Sequence, residues 1–253
     1  MTRIIVALSG GKASAWCAEW ALKNYPKDSV ILYFNDTKWE HPDLYRFLED
    51  ISNYYNHPIL SDSDGRSVEE LAYDEHAIPS NMMPFCSRIL KGKRLQEFYQ
   101  TGDQLVFGIG LDERRRCERI IKAYDSCDTK QGKCSSVRFP IIENMVTDED
   151  INMWLLGIGI EEPILYRLGF KHNNCSGGCV RSGKRQWIQL LRVLPDVYAE
   201  RERFEMEFRE HFGRGTILKD TTLEQLRVDY RKQIPIDFPE EFEHIECMGI
   251  CDE

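Results

Sequence analysis

Short unbroken apolar runs alternate along the first half of the chain with segments whose apolar residues recur every three or four positions. "RIIVAL" (3–8) predicts a strand buried on both faces, and "SAWCAEWALKNY" (14–25) carries helical spacing directly after it. The cycle repeats with "SVILYFND" (29–36) as strand and "HPDLYRFLEDISNYY" (41–55) as helix, in which Leu44, Phe47, Leu48 and Ile51 share one face. "PIL" (58–60) and "DQLVFGIG" (103–110) read as further strands, separated by a proline-punctuated loop and a basic helix within "HAIPSNMMPFCSRILKGKRLQEFYQ". Such alternation predicts crossover connections and a parallel sheet. After "VRFPII" (137–142) the pattern changes to helices and loops, beginning with Thr147 as an N-cap followed by acidic residues. The expected organisation is an α/β unit over 1–145 and a helical C-terminal region over 146–253, with no internal repeat.

Composition adds limits. With 253 residues, 42% hydrophobic and 30% charged, the chain predicts a folded protein with a sizeable core. Its net charge of -9 argues against a general nucleic-acid coat protein, although basic residues gather at 88–94, 114–122 and 181–185. No apolar run reaches membrane-spanning length, and "MTRIIVALSGG" lacks the layout of a secretory signal, so no membrane partner and a cytoplasmic location are expected. Nine cysteines, an odd number, fit metal or thiol chemistry better than a disulfide framework.

The first predicted strand runs into "SGGK" (9–12). Two glycines let the backbone turn sharply and bring N–H groups near an anion, while the following helix presents its positive end. Strand, glycine turn and helix together make a phosphate cradle without the Walker spacing.

"SGGKAS" (9–14) resembles the Ser-Gly-Gly-x-Asp-Ser loop of the PP-loop ATP pyrophosphatases, the adenine nucleotide alpha hydrolases, and of their relatives the phosphoadenylyl sulfate reductases. "LYFNDTKWEHPDLYRF", "FCSRILKGKRL", "FGIGLDERRRCER" and "FPIIENMVTDEDINMWLLGIGIEEPILYRLGFKHNNCSGGC" resemble further segments of those reductases, in the same order, so the likeness runs from 4 to about 187. It implies a doubly wound parallel sheet of the adenine nucleotide alpha hydrolase type, with a helical, cysteine-bearing C-terminal region. An adenosine nucleotide, whether ATP or an adenylyl sulfate, is then expected across the carboxyl ends of the strands. Ser9, Gly10, Gly11, Lys12 and Ser14 would take its anionic part, Asp36 the ribose or base side, and Gly108 would allow close approach of the adenine. Asp112 and Glu113 are candidates for magnesium or for the nucleotide, or simply for a helix start. Two departures stand out: Ala13 replaces the usual Asp, which puts pyrophosphate cleavage in question, and Gly110 stands where an Arg is usual.

The cysteines carry the remaining chemistry. Cys175 and Cys179 are separated by Ser-Gly-Gly, a flexible turn that can fold two thiolates onto one metal. The resemblance implies a third ligand at Cys86 and a fourth at Cys247 or Cys251, for a [4Fe–4S] cluster or, alternatively, structural zinc. Cations beside the cysteines, Arg88 and Lys91 after Cys86 and Arg181 after Cys179, lower thiol pKa values or hold an anionic substrate. "IECMGICDE" resembles the reductases' Glu-Cys-Gly tail, so Cys247 and Cys251 are also candidate nucleophiles, with Lys12 and Arg88 assisting. Cys17, Trp16, Trp20 and Trp154 read as helix-face core, and His172 as a loop residue or ligand.

Three functions stay open on these grounds. One is sulfur transfer or reduction by a tail thiolate, with a thiol electron donor or a sulfur-donor protein as partner. Another is ATP-dependent adenylation before thiolation of a nucleic-acid or small-molecule acceptor. A nucleotide-binding module without catalysis is the third, for which Ala13 is the main support.

Overall fold

The computed structural model describes residues 2–125, 133, 135–233 and 236. Cys127, Cys134, Cys247 and Cys251 lie outside the described residues. The first α/β unit comprises β1 (Ile4–Leu8), α1 (Lys12–Asn24), β2 (Val30–Asn35), α2 (Pro42–Tyr55), β3 (Ile59–Asp62) and α3 (Val68–Asp74). α4 (Phe85–Ser87) and α5 (Arg94–Phe98) are joined by a π-helical turn, Arg88–Lys93, and precede β4 (Gln104–Phe107), α6 (Arg115–Tyr124), β5 (Ser136–Arg138) and α7 (Pro140–Glu143). The remaining helices are α8 (Asp148–Gly157), α9 (Ile164–Arg167), α10 (Lys184–Val193), α11 (Pro195–Phe212) and α12 (Leu223–Arg231).

Among the described residues the sheet has five strands, all parallel, in the order β3-β2-β1-β4-β5. β1 is central, with Ile4 level with Val30 on one side and Gln104 on the other. Its unbroken apolar run is explained by two cores: Ile4, Val6 and Leu8 pack with α1 and α2 on one face, whereas Ile5 and Ala7 pack with Leu105, Phe107 and Tyr124 on the other. Connections leave β1 toward β2 and later return on its other side at β4, so the order reverses between β1 and β4. In open α/β sheets it is beyond the carboxyl ends of the strands at such a switch that ligands are bound.

Thr147 caps α8 through a capping box with Asp150, as the sequence predicts. Among the described residues past 145 there is no strand. α8 packs against α1, and a third core mixes Trp39, Val68, Leu71 and Leu90 with Leu165, Trp187, Phe204 and Leu226. The helical region is thus built directly onto the sheet unit. Cys17 is fully buried in the α1 core, while Trp16, Trp20 and Trp154 are partly buried against it.

Candidate functional site

The corner after β1 is made by backbone and small side chains. Gly10 has φ +81°, and a Cβ there would lie 2.5 Å from Leu44 Cγ, so glycine is required for both conformation and space. The Ser9 N–H donates to Ser14 Oγ (3.1 Å), the Gly11 N–H to Ser9 Oγ (3.3 Å), and the Ser14 hydroxyl to the Gly11 carbonyl (3.0 Å). The first turn of α1 is therefore held in place by Ser9 and Ser14, since Gly11 supplies no capping side chain. Ala13 packs onto the core and puts no carboxylate at the corner.

Lys12 points toward the helical region. Its Nζ donates to Asn152 Oδ1 (2.6 Å), pairs with Glu162 (3.3 Å) and sits 4.3 Å from the centre of the Tyr166 ring. Its backbone N–H donates to the Tyr166 hydroxyl at 3.3 Å. Across the switch point, Gly108 brings β4 against α1: a Cβ there would fall 2.7 Å from Ser14 N and 2.8 Å from Ala13 C. The missing side chain of Gly108 thus faces the start of α1. Asp36, at the end of β2, accepts on Oδ1 from the Lys38 N–H and the Tyr45 hydroxyl, both at 2.8 Å. Asp112 is exposed in the 3-10 turn Leu111–Glu113, and Glu113 pairs with Arg116 at 2.8 Å.

A second centre lies where the π-helical turn meets the loop before α10. Cys86, Cys175 and Cys179 line one pocket together with Thr37, Ser87, Lys91 and Arg181. Two of the three basic patches thus reach the same place through Lys91 and Arg181, while Arg88 and Lys93 are exposed. π-turns recur at functional sites, and this one carries Lys91 into the interior. Cys175 and Ser176 both adopt left-handed backbone, at φ 49° and 53°. The structure holds that costly conformation with Glu40, whose carboxylate accepts from the Cys175 N–H (2.5 Å), the Thr37 hydroxyl (3.0 Å) and the Lys91 ammonium (3.2 Å). Ser176 Oγ donates to the Trp39 carbonyl (3.1 Å). The hydrogen bond to Cys179, followed by burial, pushes the Cys175 thiol well above its ordinary pKa.

Asn173 joins the two centres. Its Nδ2 donates to the Gly10 carbonyl at 2.8 Å, two residues upstream of Cys175. Several buried polar atoms around this junction lack a partner: Asn173 Oδ1, both amide atoms of Asn174, Ser87 Oγ, Trp187 Nε1 and Arg201 Nε.

An all-thiol donor set flanked by cations suits a thiolate-ligated metal or cluster. Among the described residues, however, no three His, Cys, Asp or Glu side chains stand close enough together to hold a metal ion. The ligand set present is partial, with two thiols in contact and a third lining the same pocket. Cys247, the expected fourth ligand, lies outside the described residues.

Sequence reasoning named the corner and the cysteines but missed Glu40, Asn173, Asn174, Tyr166, Glu162 and Arg201. A charge beside Trp39, or on a helix that otherwise reads as amphipathic, gives no sign that it is buried.

The open parallel sheet with its glycine corner at the switch point defines an α/β fold of the doubly wound, adenine nucleotide alpha hydrolase-like class. The phosphoadenosine phosphosulfate reductase domain model matches residues 3–182, and the chain belongs to that family, within the PP-loop superfamily. Members of the family bind adenosine nucleotides and are typically enzymes of sulfonucleotide reduction or related chemistry. No curated protein matches the chain. No helix among the described residues is long and apolar enough to cross a membrane.

Proposed function

We propose that this protein is a sulfonucleotide reductase-like enzyme that holds an adenosine nucleotide at the Ser9–Ser14 corner and performs sulfur chemistry beside Cys86, Cys175 and Cys179. The observation that carries this reading is the convergence of three cysteines from two distant segments in one pocket, tied by Asn173 to the Gly10 carbonyl. Gly10, Gly11 and the start of α1 offer the nucleotide's anionic group a backbone cradle, and Lys12 adds a cation once released from Glu162. Asp36 and Asp112 are assigned to the rest of the nucleotide or its magnesium, whereas Gly108, whose open side is taken by the start of α1, serves by letting β4 and α1 pack closely.

In this reading Cys86, Cys175 and Cys179, together with Cys247, would be the ligands of a [4Fe–4S] cluster, which would supply a charged, redox-active centre. The tail thiolate not used as a ligand, Cys251, attacks the sulfur of the sulfonucleotide. The bond from that sulfur to the phosphate oxygen breaks, the adenosine phosphate leaves, and Arg88 and Lys12 offset the charge it carries away. A thiol donor then releases the sulfite. Ala13 favours this chemistry over ATP cleavage, because the carboxylate expected to orient a metal-bound water is missing.

Titrating phosphoadenylyl sulfate and ATP separately, with sulfite and pyrophosphate as readouts, tests the reading. Sulfite in the presence of a reduced dithiol supports it. Pyrophosphate with a thiolated acceptor selects an adenylating enzyme, and binding without either product selects a nucleotide-binding module.

A further inference from the structure

Lys12 brings two polar groups to the start of α1, its backbone N–H and its ammonium, and the helical region takes both. The N–H donates to the Tyr166 hydroxyl at 3.3 Å. The ammonium donates to Asn152 Oδ1 at 2.6 Å, pairs with Glu162 at 3.3 Å and lies over the Tyr166 ring. Glu162 is held in place through its backbone. The Glu161 and Glu162 carbonyls accept from the Arg46 guanidinium at 3.1 and 3.4 Å, the Ile164 N–H donates to Asp43 Oδ2 at 2.6 Å, and Pro163 fixes φ between them. With 35% of its side chain exposed, the Glu162 carboxylate is not needed to fill a core.

The charges that these contacts bring together leave no surplus of positive charge. Lys12 faces Glu162, Arg46 faces both Asp43 and Asp50 at 2.7 Å, and Glu161 pairs with Arg167. Sites that hold a triphosphate bring lysine and metal cations to it in excess of carboxylates. Here a nucleotide that draws the Lys12 ammonium toward its anion leaves the Glu162 carboxylate behind, on a fixed backbone at the edge of the same corner. Repulsion from that carboxylate grows with the negative charge of the ligand.

We propose that Glu162 is a specificity-determining residue: by matching Lys12 it limits the negative charge that the corner accepts, and so favours the phosphosulfate group of an adenylyl sulfate over a triphosphate. The inference rests on the reading that the corner holds the nucleotide, and it goes further in naming the group that chooses among nucleotides. Asn152 and Tyr166 keep Lys12 beside the carboxylate, so the choice is made by the helical region and not by the glycine turn itself.

The test is a charge ladder. Adenosine, AMP, ADP and ATP are titrated calorimetrically into the full chain, without magnesium, in wild-type, Glu162→Gln, Asn152→Asp and Gly10→Ala forms. Glu162→Gln should leave adenosine affinity within about twofold of wild type and tighten ATP by at least about fivefold, with AMP and ADP between, and added salt should shrink the difference. Asn152→Asp sets a second carboxylate on Lys12 and should move the series the opposite way, weakening ATP most. This second variant keeps the test intact should Glu162→Gln fail to fold. An equal change for adenosine and ATP would make Glu162 a cover for the corner and not a charge, which overturns the proposal. So does an ATP affinity that neither variant moves. If wild type binds none of the four, or if Gly10→Ala binds ATP as wild type does, the reading of the corner fails and Glu162 loses its role with it. If wild type binds and Gly10→Ala does not, while Glu162→Gln keeps the wild-type spacing of affinities, only the charge assignment fails.

Discussion

The glycine corner and the cysteine pocket are neighbours built on opposite principles. At the corner, one contiguous stretch folds onto itself, and Ser9 and Ser14 satisfy its polar groups locally. At the pocket, side chains arrive from the β2–α2 connection, the π-turn and the loop before α10, and buried polar atoms such as Ser87 Oγ and both amide atoms of Asn174 lie there without a protein partner. The corner thus closes its own hydrogen bonds, and in the proposed reading it offers a finished surface to the nucleotide, whereas the pocket in that reading is a frame completed by what it binds. In a dry interior an unmatched polar atom costs about 1–3 kcal/mol.

If the pocket is a frame, its keystone should be the most costly residue to lose. Glu40 alone accepts from Lys91, Thr37 and the Cys175 N–H, and its side chain is fully buried. Glu40→Ala removes at one stroke the buried acceptor of the Lys91 ammonium, the Thr37 hydroxyl and the Cys175 N–H, and the expected loss is about 3–5 kcal/mol in urea unfolding. Glu40→Gln keeps an acceptor and should lose less, although it carries no charge opposite Lys91. Affinity for adenosine nucleotide should change far less than thiol reactivity at Cys175. Equal collapse of both in a variant that still folds would show that corner and pocket are one unit.

The two regions also differ in how plainly the sequence announced them. A strand ending in two glycines followed by helical spacing declares a backbone structure, because glycine's freedom and the apolar period are local properties. The sheet, the corner and the α8 cap at Thr147 were legible for that reason. Cys86, Cys175 and Cys179 could be picked out as reactive residue types, and their meeting could be expected only through family resemblance. Glu40, Asn173 and Arg201 stayed hidden since burial of a polar residue is decided by tertiary packing. Gly108 shows the opposite limit: its importance was visible, yet the space that it keeps clear is filled by the start of α1.

Gly10 tests the corner in the way Glu40 tests the pocket. Gly10→Ala forces a side chain into left-handed backbone and against Leu44, at an expected cost of about 2–3 kcal/mol. Nucleotide binding should be lost, and with it any effect of added nucleotide on the labelling of Cys175 and Cys179 by a thiol reagent. Unaltered nucleotide affinity in this variant would remove the corner from the site.

Asn173 is the smallest perturbation and the one that bears on whether the two regions communicate. Its hydrogen bond to the Gly10 carbonyl crosses from one region to the other, and the Oδ1 left over has no partner. Asn173→Ala removes one buried hydrogen bond and leaves the Gly10 carbonyl to find another donor, which should cost about 1–2 kcal/mol. The informative quantity is coupling rather than stability. In wild type, nucleotide bound at the corner should change the labelling rates of Cys175 and Cys179, because Asn173 carries any shift of Gly10 into the chain two residues before the first thiol. In Asn173→Ala the nucleotide should still bind, with that change in labelling largely abolished. Full coupling in the variant would mean that the signal runs through Tyr166 and Lys12 instead, the other side-chain link between the corner and the helical region.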